Sequence, residues 1–483
     1  MRRTIVPVAV TICAMAPPAF AASYYSDIRP VIERKCVMCH SESSVSFSFE
    51  DPERTYVYRE AIASAVAGRR MPPWLAEGGH QAYREDISLT TAELGLIGEW
   101  ADDGFPKGEA REREPASPLR TPFSADLSVA IMPGESYLPN AGRPDDYRCF
   151  VVDWPATERT YITGFRALPG NLQVAHHLVL FAAAPAVAER FKALDAEEAG
   201  PGYQCFGGPV PDRLDDEAAR TAYEKRYPKG VAALNDNAFW VAQWAPGTDG
   251  YEFPEDTGIP VQPGTALIVQ MHYYSAFAGG ERDADTRMEF MLADEVQKPA
   301  FTLPLTRFAW LNGKGNGSMV IPPGERRTYA EAITLEQLTG MAAAVTNTPE
   351  DRLTGMEVHS VSLHMHRFGS SGVISLIDRH GRQETLLSVP RWDLNWQRNF
   401  TFKQPKVFGH DEFADTELRV ECTFENPEDA PVHGGYGSDD EMCFNFSYIA
   451  LVVDDEGPGS RHTAGAGPSI DHRPAADNAG GLH

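Results

Sequence analysis

The stretch LHMHRF, residues 363–368, sets two histidines either side of a methionine, and all three side chains can ligate a soft metal. On a strand, positions i and i+2 share a face while i+1 points to the other. His364 and His366 therefore project together, and Met365 turns away into a core. The pair is either a two-histidine metal clamp or two polar residues on a solvated strand face. Two more histidine stretches follow the same chemistry: QVAHHLVLF, with His176 beside His177, and IVQMHYYS, with His272. Adjacent strand residues face opposite sides, so His176 and His177 can share a metal only at a bend, a bulge or a strand end. In SDDEMCFNF, Met442 directly precedes Cys443, and a disulfide from Cys443 to Cys422 would hold the strand that presents it. A thioether with imidazoles suits copper that cycles through Cu(I).

A second chemistry is written at residues 36–40, CVMCH. Cys-x-x-Cys-His is the attachment pattern of c-type haem: Cys36 and Cys39 add to the vinyl groups, and His40 ligates the iron. A zinc half-site or a thiol redox pair is the competing reading. The directly following histidine and the lack of a second Cys-x-x-Cys weigh against it. Met71, in RRMPPW, is the candidate distal ligand, held by a Pro-Pro turn, with His80 as the alternative.

These residues need positioning elements. Around the haem motif the pattern is helical. YYSDIRPVIERKC spaces Ile28, Val31 and Ile32 on one side, YVYREAIASAVAGR is an alanine-rich helix ending at Gly68, and TTAELGLIGEWADDG opens with a capping box from Thr90 to Glu93. Beyond the charged, proline-bearing KGEAREREPASPLR, helical periodicity fades. Short β-branched runs such as YITGFRAL, ALIVQMHYY and FNFSYIALVV take over, separated by Gly, Pro and Asp turns. The expected fold is multidomain: a small all-α cytochrome c-like domain (24–108), a linker (109–121), and two all-β antiparallel, jelly-roll-like sandwiches (122–300 and 301–455). A tail at 456–483, rich in Gly, Pro, Ala and Asp, reads as disordered.

The start of the chain, with two arginines, an apolar run and AFA at residues 19–21, reads as a cleaved signal peptide over 1–21. A periplasmic or secreted protein without a membrane span is expected. A formal charge of −25 over 483 residues speaks against nucleic acid and anionic membrane surfaces as partners. Of seven cysteines, Cys13 lies in the signal, leaving an even six.

Taken in order, HHLVLF, QMHYY, LHMH and DEMC resemble the motif sequence of the copper type II ascorbate-dependent monooxygenases, which include peptidylglycine α-hydroxylating and dopamine β-monooxygenases. The likeness covers about residues 120–453, and the helical head resembles single-haem cytochrome c modules fused to exported oxidoreductases. The resemblance implies a first copper on His176, His177 and His272, and a second, oxygen-activating copper on His364, His366 and Met442. It implies Gln270 near the first copper, and disulfides Cys422–Cys443 and Cys149–Cys205. His359, near the second site, is read as structural because strand parity turns it away. The sequence departs from the family at Leu178, where methionine is usual. It also departs at Ser362 and Phe446, where the peptide-amidating member has an arginine and a tyrosine that hold a carboxylate. The expected function is hydroxylation of a C–H bond of a small organic substrate by O2, with two coppers and one covalent haem c. Electrons would come through the haem, from a periplasmic donor or an ascorbate-like reductant. The competing function is a non-catalytic haem and copper protein for electron transfer or copper handling.

Overall fold

Apolar residues at helical spacing make the first part of the chain helical. In this computed structural model, which describes residues 22–41, 47–110, 123–142, 145–227, 229–245, 250–274, 280–311, 313, 315 and 317–454, Tyr24–Ile28 winds as a π-helical turn into Arg29–Lys35. Pro30 sits in that first turn, where a missing N–H costs nothing. The signal segment 1–21, residues 111–121 of the linker and the 456–483 tail lie outside the described residues. The expected alanine-rich helix is two helices, Pro52–Val57 and Arg59–Ala67, interrupted at Tyr58. Asp51 caps the first by accepting from the N–H groups of Glu53 and Arg54. Thr91–Asp102 carries the capping box. Glu93 N–H donates to Thr90 Oγ1 at 3.1 Å, and the Glu93 carboxylate accepts from Thr90 N–H at 2.9 Å. The helices close over Ile28, Val31, Ile97 and Trp100, and the head ties its ends together where Tyr24 N–H donates to Pro106 O at 2.9 Å.

From Leu127 on, alternation replaces helical spacing. Among the described residues the body holds a nine-stranded, a five-stranded and a four-stranded sheet, with two two-stranded ribbons. The five-stranded sheet runs Tyr203–Gln204, Asp145–Asp153, Ala266–Tyr274, Ala175–Ala183, Ala238–Trp244. One of its faces packs on the first half of the nine-stranded sheet, where Leu178, Leu267 and Val269 share a core with Ile162, Phe165 and Phe290. Its other face is covered by helix Pro185–Ala196, whose Phe191 and Leu194 lie in one cluster with Phe181 and Ile268. The second half of the nine-stranded sheet packs on the four-stranded sheet, joining Val358, Val361 and Ile449 to Ile374, Val420 and Phe424.

Two expectations change here. The sandwiches are not wholly antiparallel or separate: strand Lys298–Leu305 pairs in parallel with Thr257–Val261 of the first half, then runs antiparallel to Phe444–Val453 of the second. That strand passes straight through the boundary read at 300/301. The parity read for His359 also fails. The register of strand Leu353–His364 shifts between Val358 and Ser360, leaving His359 as the extra residue of a bulge. Core-facing positions therefore change from Met356 and Val358 to Val361 and Leu363, and His359 falls on the same face as Ser362 and His364. It is nonetheless engaged elsewhere. Its Nε2 meets the Glu357 carboxylate at 2.9 Å, which Lys298 holds at 2.6 Å.

The head is strapped to the body by residues 72–86. Glu77 N–H donates to Ser388 O at 2.8 Å, Lys403 N–H to Ala82 O at 2.8 Å and Arg84 N–H to Thr401 O at 2.7 Å. Tyr83, 3 % exposed, donates its hydroxyl to Leu386 O at 2.6 Å and sits in the second sandwich's core beside Phe402. Among the described residues no helix is long and apolar enough to cross a membrane.

Candidate metal centre

The ladder of the five-stranded sheet brings the first histidines together. His272 on Ala266–Tyr274 lies opposite His177 on Ala175–Ala183, and the next residue, Tyr273, pairs with Ala175. His176 is skipped. It is the bulge residue, and the bulge turns its ring to the side of His177, one of the geometries in which neighbours can share a metal. The Nδ1 atoms of His176 and His272 are 3.1 Å apart, and those of His272 and His177 3.3 Å. All three side chains offer ring nitrogens within 4.8 Å of one another.

The electrostatics suit a cation in place of protons. Burial, then the neighbouring His272, lowers the His176 pKa to about 4, and the same causes hold His177 well below its ordinary value. Neutral imidazoles are the ligand form. His272 donates Nε2–H to Asp145 Oδ1 at 2.8 Å, which fixes its tautomer and leaves Nδ1 aimed at the cluster. Burial works against the Asp145 carboxylate, but the hydrogen bonds from His272 and Ser438 outweigh it and draw its pKa down to about 2. Tyr147 stacks on the His272 ring, 4.1 Å between centroids at 4°. Gln270 lines the neighbouring cavity and donates to Gly208 O at 2.8 Å. The Cys149–Cys205 disulfide forms beneath it.

The second set is assembled differently. Strand Leu353–His364 ends at His364, and His366 lies just past it in a turn; their rings stand 5.2 Å apart at 89°. Met365 is fully buried in the core, as parity requires. His364 Nδ1–H donates to Gln397 Oε1, and His366 Nδ1–H to Asp440 O at 2.8 Å, so both Nε2 atoms stay free. Burial lowers both pKa values, and with His364 adjacent that of His366 falls to about 3. The Glu441 carboxylate, fully inaccessible, accepts the N–H groups of His366 at 2.9 Å, Phe368 at 2.5 Å and Met442 at 3.3 Å. One side chain thus clamps the turn carrying His366 to the segment carrying Met442. Burial raises its pKa to about 7 against those donors. The Cys422–Cys443 disulfide anchors the same segment.

His177, His364, His366 and Met442 all line one cavity of about 1520 Å³ between the sandwiches. Ser438 Oγ reaches across to Asp145, joining the second sandwich to the partner of His272. The donor sets fit copper: three imidazoles on one side, two with a thioether on the other.

In the head, Cys36 and Cys39 lie in the turn after Arg29–Lys35 and take no part in a disulfide. His40 engages Phe47 O through Nδ1 at 3.0 Å, and its ring stacks on Phe49 with centroids 4.3 Å apart. Met38 and Cys39 line the same cavity as the copper candidates. Met71 lies where the strap leaves the head. His80 sits on the strap, 3.4 Å from Glu77, which in turn accepts from Ser388. Asp145, Gln397, Asp440 and Glu441 were not foreseen. The acids adjoining Met442 in DDEMC and the one opening DDYRC were the visible hints, whereas Gln397 carries none.

Comparison with known proteins agrees with this geometry. Residues 135–277 match the N-terminal domain of copper type II ascorbate-dependent monooxygenases, and residues 312–455 match the C-terminal domain, together more than half of the chain. Dopamine beta-hydroxylase of Rattus norvegicus is 23 % identical over 336 residues, 66 % of this chain and 47 % of that protein, so the chain spans about half the length of this curated relative. Among solved structures, the major capsid protein P2 of bacteriophage PM2 covers 68 % of this chain and 99 % of its own at 8 % identity, with a TM-score of 0.23. VP2 of infectious bursal disease virus covers 69 % and 76 % at 9 % identity, with a TM-score of 0.16. Likenesses that weak say nothing about fold or function. With both domain models matched in order on the sandwiches that carry the two histidine sets, the chain belongs to the copper type II ascorbate-dependent monooxygenases.

Proposed function

We propose that this chain is an exported copper monooxygenase that hydroxylates a C–H bond of a small, uncharged, apolar substrate, fed with electrons through a haem on its helical head. The carrying observation is that a cluster of His176, His177 and His272 reaches, through His177, the same cavity that His364, His366 and Met442 line. Copper held there would supply the one-electron chemistry by which O2 delivers one oxygen atom to substrate carbon and the other to water.

The chain's own residues divide the remaining work. Asp145, Gln397 and the Asp440 carbonyl hold imidazole N–H groups, so the opposite nitrogens stay unprotonated toward the metals. The substrate wall is aromatic. Phe444 and Phe446 stack at 5.2 Å and 5°, and Trp240 from the five-stranded sheet lies 4.5 Å from Phe446. Ser362 and Phe446 are direct cross-strand partners. The two positions that grip a carboxylate in the peptide-amidating relative thus form one patch here without a cation. Such a wall favours an apolar substrate, because a charged one would be desolvated without a partner. Cys36, Cys39 and His40 would hold a haem c, with Met71 as the distal ligand. Two disulfides, Cys149–Cys205 and Cys422–Cys443, support export to an oxidising compartment.

The test is turnover of a panel of uncharged aromatic and aliphatic compounds by copper-loaded protein under oxygen-18 gas. One labelled oxygen atom in the product is expected. Products formed without label would contradict monooxygenation.

A further inference from the structure

Four strands of the nine-stranded sheet meet in register just beyond the aromatic wall. Thr401 lies opposite Ser360, Ser360 opposite Tyr448, and Tyr448 opposite Thr302. Residues directly opposed across a ladder share a face, so four hydroxyl side chains run in one row across the sheet. Val361 and Leu363 fill the core, which puts Ser360, Ser362 and His364 on the cavity side. Along that side the surface changes row by row. His364 pairs with Phe444, Ser362 with Phe446, and then the hydroxyls follow. Ser360 stands four residues from His364, about 13 Å along the strand at about 3.3 Å per residue.

The hydroxyl row lines a side cavity of about 30 Å³, which Asn399 and Gln243 also line. Phe446, Thr302 and Thr401 face the main cavity as well, so the two spaces adjoin at the end of the aromatic wall. The side cavity has room for one water-sized group. Two of its hydroxyls are engaged: Tyr448 Oη meets Thr257 Oγ1 at 2.9 Å, and Thr302 Oγ1 donates to Val241 O at 3.2 Å. The hydroxyls of Thr401 and of Ser360, the latter residue only 7 % exposed, make no hydrogen bond among the described residues. Gln243 Nε2 donates to Asn399 Oδ1 at 3.2 Å, and Gln243 Oε1 accepts from Trp240 Nε1 at 2.8 Å. The Trp240 ring beside Phe446 is thus tied to the polar end. Glu252 also lines the side cavity but is exposed, so its charge stays in water and calls for no cation.

We propose that this side cavity is a substrate subsite. It takes one neutral hydrogen-bonding group, a hydroxyl or a carbonyl, of an otherwise apolar substrate whose body lies on Phe446 and Phe444. The proposal rests on the reading of the main cavity as the place where substrate binds. Serine and threonine hydroxyls both donate and accept, so Ser360 and Thr401 fit either group. An uncharged group gives up little hydration on entering and regains a partner, whereas a charged one would be desolvated without a counter-charge. Anchoring that end leaves the opposite end of the substrate toward His364 and His366. Ser360 and Thr401 therefore set specificity for the polar end and the direction in which the substrate lies.

Calorimetric titration of the full-length, copper-loaded protein, kept free of oxygen so that nothing turns over, tests this. The probes are 4-phenyl-1-butanol, butylbenzene and 4-phenylbutylamine, the last a cation at neutral pH. The alcohol should bind most tightly. Ser360→Ala and Thr401→Val should each weaken the alcohol about 3–10-fold and leave butylbenzene unchanged. Equal affinity for alcohol and hydrocarbon, or an alcohol affinity that both substitutions leave untouched, assigns the side cavity to a water and overturns the proposal. Tightest binding of the amine overturns it as well, since the group taken would then be charged. Binding of none of the three contradicts the reading of the main cavity as the substrate site and removes the subsite with it, so the two failures are told apart.

Discussion

The two histidine clusters face one cavity, yet they are built by opposite means. The first is a product of sheet register: two strands pair, one bulge adds a third ring, and a carboxylate from a neighbouring strand sets the tautomer. The second is a product of chain ends: one ligand closes a strand, one sits in the turn after it, and the third arrives from a distant segment held by Glu441 and a disulfide. The difference teaches where each site is vulnerable. A register site resists loss of a single tether because the ladder still holds its rings. A loop site depends on its clamps. Chemically, copper held by an all-nitrogen set and copper held by a nitrogen–sulfur set would meet different environments, the second the softer.

Breaking either cluster outright should have the largest effect. His177→Ala and His364→Ala should each bring copper-dependent hydroxylation below detection, measured as labelled product. Residual turnover in either would mean that one cluster is not needed. Next in size, replacing Cys422 and Cys443 by serine should cost about 2–5 kcal/mol in denaturant unfolding and deplete second-site copper. First-site copper should stay, which sharpens the contrast. Glu441→Gln turns an amide N–H toward backbone donors, and a buried mismatch of that kind costs about 1–3 kcal/mol; calorimetry of the metal-free protein checks it. Asp145→Asn should weaken first-site copper by about 10–100-fold and leave the second site's affinity unchanged in competition titrations. The smallest effect is Phe446→Tyr, which should raise KM for apolar substrates a few-fold with little change in kcat.

The sequence carried the first cluster further than it could carry the second. The adjacency of His176 and His177 already required a bend, a bulge or a strand end for a shared metal, and a bulge lies at His176. The pairing of His364 with His366 and the burial of Met365 also follow from alternation, because the period of two survives past the end of the ladder. Alternation misled at His359, where an inserted residue reverses the faces and no side-chain type announces it. The clamps were illegible for a different reason. Gln397 and Glu441 act through contacts between segments far apart in the chain, and neither residue type is rare enough at the surface to stand out. The strand Lys298–Leu305 hid the continuity of the nine-stranded sheet, since a single parallel pairing leaves no mark on hydrophobic pattern. The capping box at Thr90 was readable because it is wholly local.

Copper-edge X-ray absorption on the Cu(I) forms of His177→Ala and His364→Ala tests the central claim most directly. The account predicts one copper per chain in each variant, with a sulfur scatterer from Met442 in His177→Ala and nitrogen scatterers alone in His364→Ala. Sulfur at the copper of His364→Ala, or none in His177→Ala, would contradict the division of the molecule into two unlike copper sites.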